Sequence, residues 1–133
     1  MYIAVASRDG KSVAGHIGKC ADWIVFEVSR PEEADAQPLV TEQARITLPK
    51  ELVFHHYKDE QPHPLKECAA VIGASAGESF VTKMARRGME VVLTAESDSA
   101  TAVAAYARDK VLPPKPRPIG SLVCKIRDAL SSD

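Results

Sequence analysis

The sequence predicts an α/β fold: a meander of strands near the start, followed by a βαβ unit. Three observations carry that expectation. Tyr2–Ala6 and Trp23–Val28 read as strands, the second with Ile24, Phe26 and Val28 on one face and Trp23, Val25 and Glu27 on the other. Ala69–Ala74 (AAVIGA) is apolar without polar alternation, as expected of a strand covered on both faces. After it come a glycine-containing turn, a helical stripe and a further strand at Glu90–Thr94, which is the order of a right-handed βαβ crossover.

Taken in order, Tyr2–Ala6 opens the sheet and Ser7-Arg8-Asp9-Gly10 supplies turn chemistry, with Asp9-Gly10 tolerant of positive φ. Lys11–Val13 is expected to return as a short strand antiparallel to the first, and Trp23–Val28 to complete the meander. Ser29–Pro38 is a polar, proline-bounded loop, and Leu39–Ile46 fits a strand or a helical turn equally. Leu48–Pro64 holds three prolines and three of the four histidines, which argues against long regular structure there.

Leu65–Cys68 reads as the end of a short helix leading into Ala69–Ala74. Glu78–Arg87 then places Phe80, Val81, Met84 and Ala85 on one helical stripe, and Gly88 falls where a left-handed residue ends a helix. Ser97-Asp98-Ser99 offers capping oxygens for a helix over Ala100–Asp109, with Ala100, Val103, Ala104 and Ala107 inward. Leu112–Pro118 carries four prolines in seven residues and reads as a stiff linker. Ile119–Leu130 then has the spacing of an amphipathic helix. The expected division is a body over 1–112 and a linker with tail helix over 113–133.

With 133 residues, 45% apolar and 26% charged, the chain is of a size and composition for one soluble domain. The formal net charge is −1, and no long basic run marks a nucleic-acid partner. No apolar run approaches the roughly 20 residues that span a bilayer, and no signal-like segment follows Met1, so a cytoplasmic protein without membrane contact is expected. Cys20, Cys68 and Cys124 are odd in number and widely spaced, a reduced pattern rather than a disulfide framework.

The stretch with most chemistry is Gly10–Cys20 (GKSVAGHIGKC), which puts His16 and Cys20 on one glycine-rich loop between strands. Imidazole and thiolate suit iron, zinc, copper or molybdenum–sulfur species, and Lys19 is expected to favour the Cys20 thiolate. Two ligands fall short of the four of a structural zinc site, so an open or cluster-type site fits better. The plainer alternative is a hairpin with an incidental histidine and a semi-buried cysteine; the residues alone leave both open.

His55 and His56 point apart in an extended chain but can converge in an irregular loop. His63, between Pro62 and Pro64, reads as a surface residue, and Cys68 as a small buried hydrophobe. Gly73–Gly77 stands where phosphate loops stand, yet lacks both GxGxxG and GK[ST].

The leading IAVASRDGKSVAGHIGKCADWIVFEV resembles the opening of the dinitrogenase iron–molybdenum cofactor biosynthesis family, with its HFG(R/K)(C/A) motif. CAAVIGASAGESFVTKMARRGMEVVLTAESDSATAVAAY is similar to that family's later strand, glycine-loop and helix segment. The resemblance implies a single ribonuclease H-like domain, a five-stranded mixed sheet flanked by helices. It implies a nitrogen fixation-related, non-catalytic carrier for the iron–molybdenum cofactor, its iron–sulfur precursor or another molybdenum–sulfur cluster, meeting cofactor-assembly proteins, with a homodimer left open.

The motif's histidine falls on His16, with Ile17 replacing the usual Phe and so removing an aromatic wall. The expected cofactor-binding set is therefore His16, Cys20, Gly15, Gly18, His55 and His56, with His16 and Cys20 as metal ligands and the glycines letting backbone amides approach sulfides. A regulatory or interaction domain of the same fold without a cluster is the alternative. A nuclease is disfavoured because neither Tyr2–Ala6 nor Ala69–Ala74 carries an acid.

Overall fold

The computed structural model describes residues 1–29, 37–59 and 61–114. Five strands form one sheet: β1 (Tyr2–Ala6), β2 (Asp22–Ser29), β3 (Leu39–Thr47), β4 (Cys68–Gly73) and β5 (Glu90–Leu93). Their order is β3-β2-β1-β4-β5. β1, β2 and β3 pair antiparallel, whereas β1, β4 and β5 pair parallel, so the expected five-stranded mixed sheet is present. Helix α1 (Glu78–Arg86) joins β4 to β5, and α2 (Ser99–Ala107) follows β5. The proposed linker and tail helix lie almost wholly outside the described residues.

Alternation along the strands divides the core between two faces. Ala4, Ala6, Trp23, Val25 and Val71 face α1 and the 48–67 segment, burying Ile17, Phe54, Leu65, Met84 and Met89. Ile3, Val5, Ile24, Phe26, Ala70 and Ile72 face the other way and pack with Val103 and Ala107 of α2. Opposite Tyr2 and Ile3 the parallel register shifts, pairing Cys68 and Ala70 and leaving Ala69 as an extra, exposed residue. β4 thus begins at Cys68, directly after turns, and the short helix expected over Leu65–Cys68 is absent.

The helix ends follow local chemistry. Gly88 (φ 82°) ends α1, with its N–H on Ala85 O and Met89 N–H on Met84 O, each at 3.0 Å. This is the paired closure in which two orphan carbonyls are satisfied. Of the expected stripe Met84 is buried and Phe80 half-buried, while Val81 and Ala85 are exposed. Asp98 caps α2 by accepting the Thr101 N–H at 2.9 Å. Its inward face is Ser99, Ala102, Val103 and Ala107; Ala100 is exposed, one register step from the expected stripe.

Two segments depart from expectation. Lys11–Val13 does not pair with β1. Ser12 instead forms an isolated antiparallel bridge with Asp98, Val13 N–H donates to Ser97 O, and Ser99 N–H donates to Lys11 O. The meander is completed by β3, whose residues are exposed at Leu39, Thr41–Arg45 and Thr47. Its place is set by the ladder to β2, with a bulge opposite Val25 and Phe26.

Candidate functional site

The loop that follows β1 is organised from its own side chains outward. The Asp9 carboxylate accepts from the Lys11 N–H (2.8 Å), the Ser12 N–H (2.7 Å) and the Ser7 hydroxyl (3.2 Å). Those donors hold its pKa far below the ordinary carboxylate range, the Ser12 amide first among them. Gly10, at φ 79°, makes the turn that an L side chain rarely adopts. Ala14 then bridges two elements: its N–H donates to Ala6 O at 2.7 Å, and its carbonyl accepts from Ala74 N–H at 2.8 Å.

Ser75, in the turn between β4 and α1, fixes the next two residues. Its hydroxyl accepts the His16 N–H at 2.9 Å and its carbonyl accepts the Ile17 N–H at 3.1 Å. His16 is held at φ 49°, ψ 52°, a left-handed conformation uncommon outside glycine, with its side chain exposed. Strain of this kind persists only where the surroundings impose it, and it concentrates at functional positions.

Ile17 points the opposite way. It is fully buried, and a Cβ built on Gly73 would lie 2.0 Å from its Cγ2. Position 17 is therefore a core plug seated on the bare backbone of β4, so the loss of an aromatic wall expected from Ile17 does not arise. An aromatic neighbour comes instead from α1, where Phe80 Cδ1 would lie 3.1 Å from a Cβ on Gly18. A Cβ on Gly15 would lie 2.9 Å from the Ser75 hydroxyl. Both glycines thus allow the loop to approach protein on their Cβ side.

Cys20 is buried where His16 is exposed. Its side chain has no exposure, its thiol donates to Asp22 O at 3.2 Å, and burial raises its pKa. The expected help from Lys19 toward a thiolate is not what governs this sulfur; desolvation does. Cys68 is buried as anticipated and its thiol is pushed up to about 11 by burial.

The histidine pair, distant in sequence, arrives at the loop. The His55 N–H donates to Gly18 O at 2.7 Å. The turns after the 3-10 segment Lys50–Leu52 bring the exposed His55 and His56 rings to 5.0 Å between centroids, instead of splaying them. Arg8 adds a cation that the sequence did not single out, its Nη1 donating to Gly15 O at 3.0 Å. No grouping of three His, Cys, Asp or Glu that could hold a metal ion exists among the described residues. The loop cluster is an open imidazole-bearing surface rather than a closed coordination sphere.

His63 was expected at the surface and is buried. It stacks on Phe54 (4.5 Å between centroids, 12° between planes) and sits edge-on to Tyr57. Leu65 N–H donates to Nδ1 at 3.1 Å, so the ring's proton is on Nε2, which donates to Leu52 O at 2.8 Å. Burial lowers its pKa and keeps it neutral.

The dinitrogenase iron-molybdenum cofactor family model matches residues 1–109, spanning β1, the His16 loop, both βα junctions and α2. The chain belongs to that family. The family match therefore covers His16, Cys20, His55 and His56 together. Among solved structures, the crystal structure of PH0822 has a TM-score of 0.54 at 16% identity, covering 84% of this chain and 93% of its own. An NMR structure of a putative NifB protein from Thermotoga (TM1290), described as a DUF35 family member, has a TM-score of 0.46 at 14% identity, covering 88% and 97%. PH0822 shares the fold with this member of the family. No curated protein sequence matches the chain. No helix among the described residues is long and apolar enough to cross a membrane.

Proposed function

We propose that the chain is a non-catalytic carrier that binds a preformed iron–molybdenum or related metal–sulfur cluster as cargo during cofactor assembly. The observation that carries this reading is the hydrogen bond from His55 N–H to Gly18 O, which brings the backbone of the histidine pair to the loop two residues beyond His16. Family membership supplies the cargo class. With no three-ligand group among the described residues, a bare ion is poorly served, whereas a cluster brings its own sulfides and leaves few positions to fill.

In this reading His16 offers the primary nitrogen, aimed outward by its left-handed backbone and by Ser75. His55 and His56 offer a second contact, and the Arg8 guanidinium favours the anionic charge of a sulfide-rich cluster. Gly15 and Gly18 serve by allowing the loop to lie against Ser75 and Phe80. Cys20 serves by packing beneath the loop, and its thiol is not part of the binding set in this conformation.

Anaerobic incubation with the cluster, then gel filtration with metal and sulfide analysis, tests the proposal. Stoichiometric metal and sulfide eluting with the protein supports carriage. A colourless, metal-free protein that ignores added cluster points to a regulatory or interaction domain instead.

A further inference from the structure

On the α1 side of the sheet a cavity of about 160 Å³ lies apart from the His16 loop, with neither His16 nor Gly18 in its lining. Phe54, Tyr57 and His63 give it aromatic walls; Lys66, Arg87 and Asp59 supply charge. Its volume is close to that of an engineered cavity of roughly 150 Å³ that takes up benzene.

The walls are a packed aromatic cluster, Phe54 stacked on His63 with Tyr57 edge-on to both. His63 spends Nε2 on Leu52 O and Nδ1 on the Leu65 N–H, so its ring offers the cavity no free nitrogen. Arg87 lies 4.9 Å over the Tyr57 ring and turns its Nε and Nη2 toward the two oxygens of Asp59. A planar fork already gripping a carboxylate at the mouth of an aromatic cavity is the geometry for recognising carboxylates. The Asp59 side chain is 69% exposed against 16% for Arg87, so the acid is the partner free to swing away. Lys66 has no ion pair among the described residues, and the described lining holds two cations and one anion.

We infer that this cavity binds a small planar aromatic carboxylate, its ring resting against the wall that Phe54, Tyr57, His63 and Met89 form and its carboxylate taking the place of Asp59 on Arg87. Binding is an exchange of one carboxylate for another on the same guanidinium, with Lys66 drawing the ligand's charge. The inference is independent of cluster carriage.

The test is a titration of the full chain with benzoate, followed by NMR shifts of the aromatic protons, with benzamide, acetate and inorganic phosphate in parallel. Benzoate is expected to saturate at least tenfold more tightly than benzamide or acetate. Lys66→Ala and Arg87→Gln should weaken benzoate, and Asp59→Asn should tighten it several-fold by freeing the fork. If Arg87→Gln does not fold, Lys66→Ala and the benzamide comparison decide. Equal binding of benzamide, absence of saturation by benzoate, or displacement by an equal concentration of phosphate would each overturn the inference.

Discussion

The His55 amide donates to the Gly18 carbonyl across 2.7 Å, joining two segments that are 37 positions apart in the chain. That bond ties the histidine pair to the loop carrying His16. It is a backbone bond, so it depends on the path of the 48–67 segment rather than on the imidazole of residue 55. Replacing the His55 ring should leave the path intact and remove only what the ring itself contributes.

The packing of Ile17 on Gly73 sets the depth of the loop. A methyl at position 73 would stand 2.0 Å from Ile17 Cγ2 and 3.0 Å from its Cδ1, against a plug with no exposure. Gly73→Ala should therefore lower stability by about 1–3 kcal/mol, as overpacking does. Ile17→Ala alone should lose about 2–5 kcal/mol by leaving a cavity. In the double variant the two changes should offset, with a loss smaller than the sum. Denaturant unfolding of the three variants measures this; strict additivity would contradict the contact.

The buried thiols predict silence toward alkylation. Cys20 has no exposure and Cys68 only 5%, and burial raises both pKa values, that of Cys68 to about 11. Since the thiolate is the reactive form, iodoacetamide at neutral pH should leave both positions unmodified in the folded chain and label both in denaturant. Peptide mass mapping reads the outcome. Rapid native labelling of Cys20 would show that the loop opens and would return its sulfur to the binding set.

His63 predicts a pH effect on stability. Its folded pKa lies below the ordinary 6.5, chiefly through burial, so the unfolded chain takes up the proton first as pH falls. Stability from its neutral form is fully present above about pH 6.5 and is lost as pH drops below it. The slope for one proton is at most about 1.4 kcal/mol per pH unit. His63→Gln should flatten unfolding free energy against pH in the mildly acidic range; an unchanged slope would assign the effect elsewhere.

Local patterns made much of the fold legible. β1 and β2 follow from alternation, β4 from an unbroken apolar run, and α1 and α2 from helical spacing with Gly88 and Asp98 at their ends, because each signal acts within a few residues. β3 was ambiguous because an exposed edge strand has little burial to print a hydrophobic period; only Ile46 and Val40 are even half-buried. Lys11–Val13 was misplaced because its partners, Ser97–Ser99, lie beyond any local window.

At the site, His16 stood out through its glycine-rich surroundings, and the Ser75 turn through its place after a strand. Arg8 carried no distinguishing mark, since its role is a single bond to Gly15 O. The flanking prolines suggested an exposed His63, yet stacking on Phe54 buried it. Cys20 looked like a ligand because spacing records proximity along the chain and not which face of the loop a side chain takes. Here the backbone aims His16 outward and packs Ile17 and Cys20 inward.

Anaerobic titration tests most directly whether His16 anchors a cluster-binding surface. The iron–molybdenum cofactor or its iron–sulfur precursor is added to the wild type and to His16→Ala while the visible spectrum is followed. The His16 side chain is exposed and its described hydrogen bonds run through its backbone, the N–H to Ser75 and the carbonyl from the Lys19 N–H, so the variant should unfold at nearly the wild-type denaturant concentration. Binding should weaken by about tenfold or more, the scale on which metal sites respond to loss of a supporting residue. Wild-type affinity in His16→Ala would show that His16 is not the anchor.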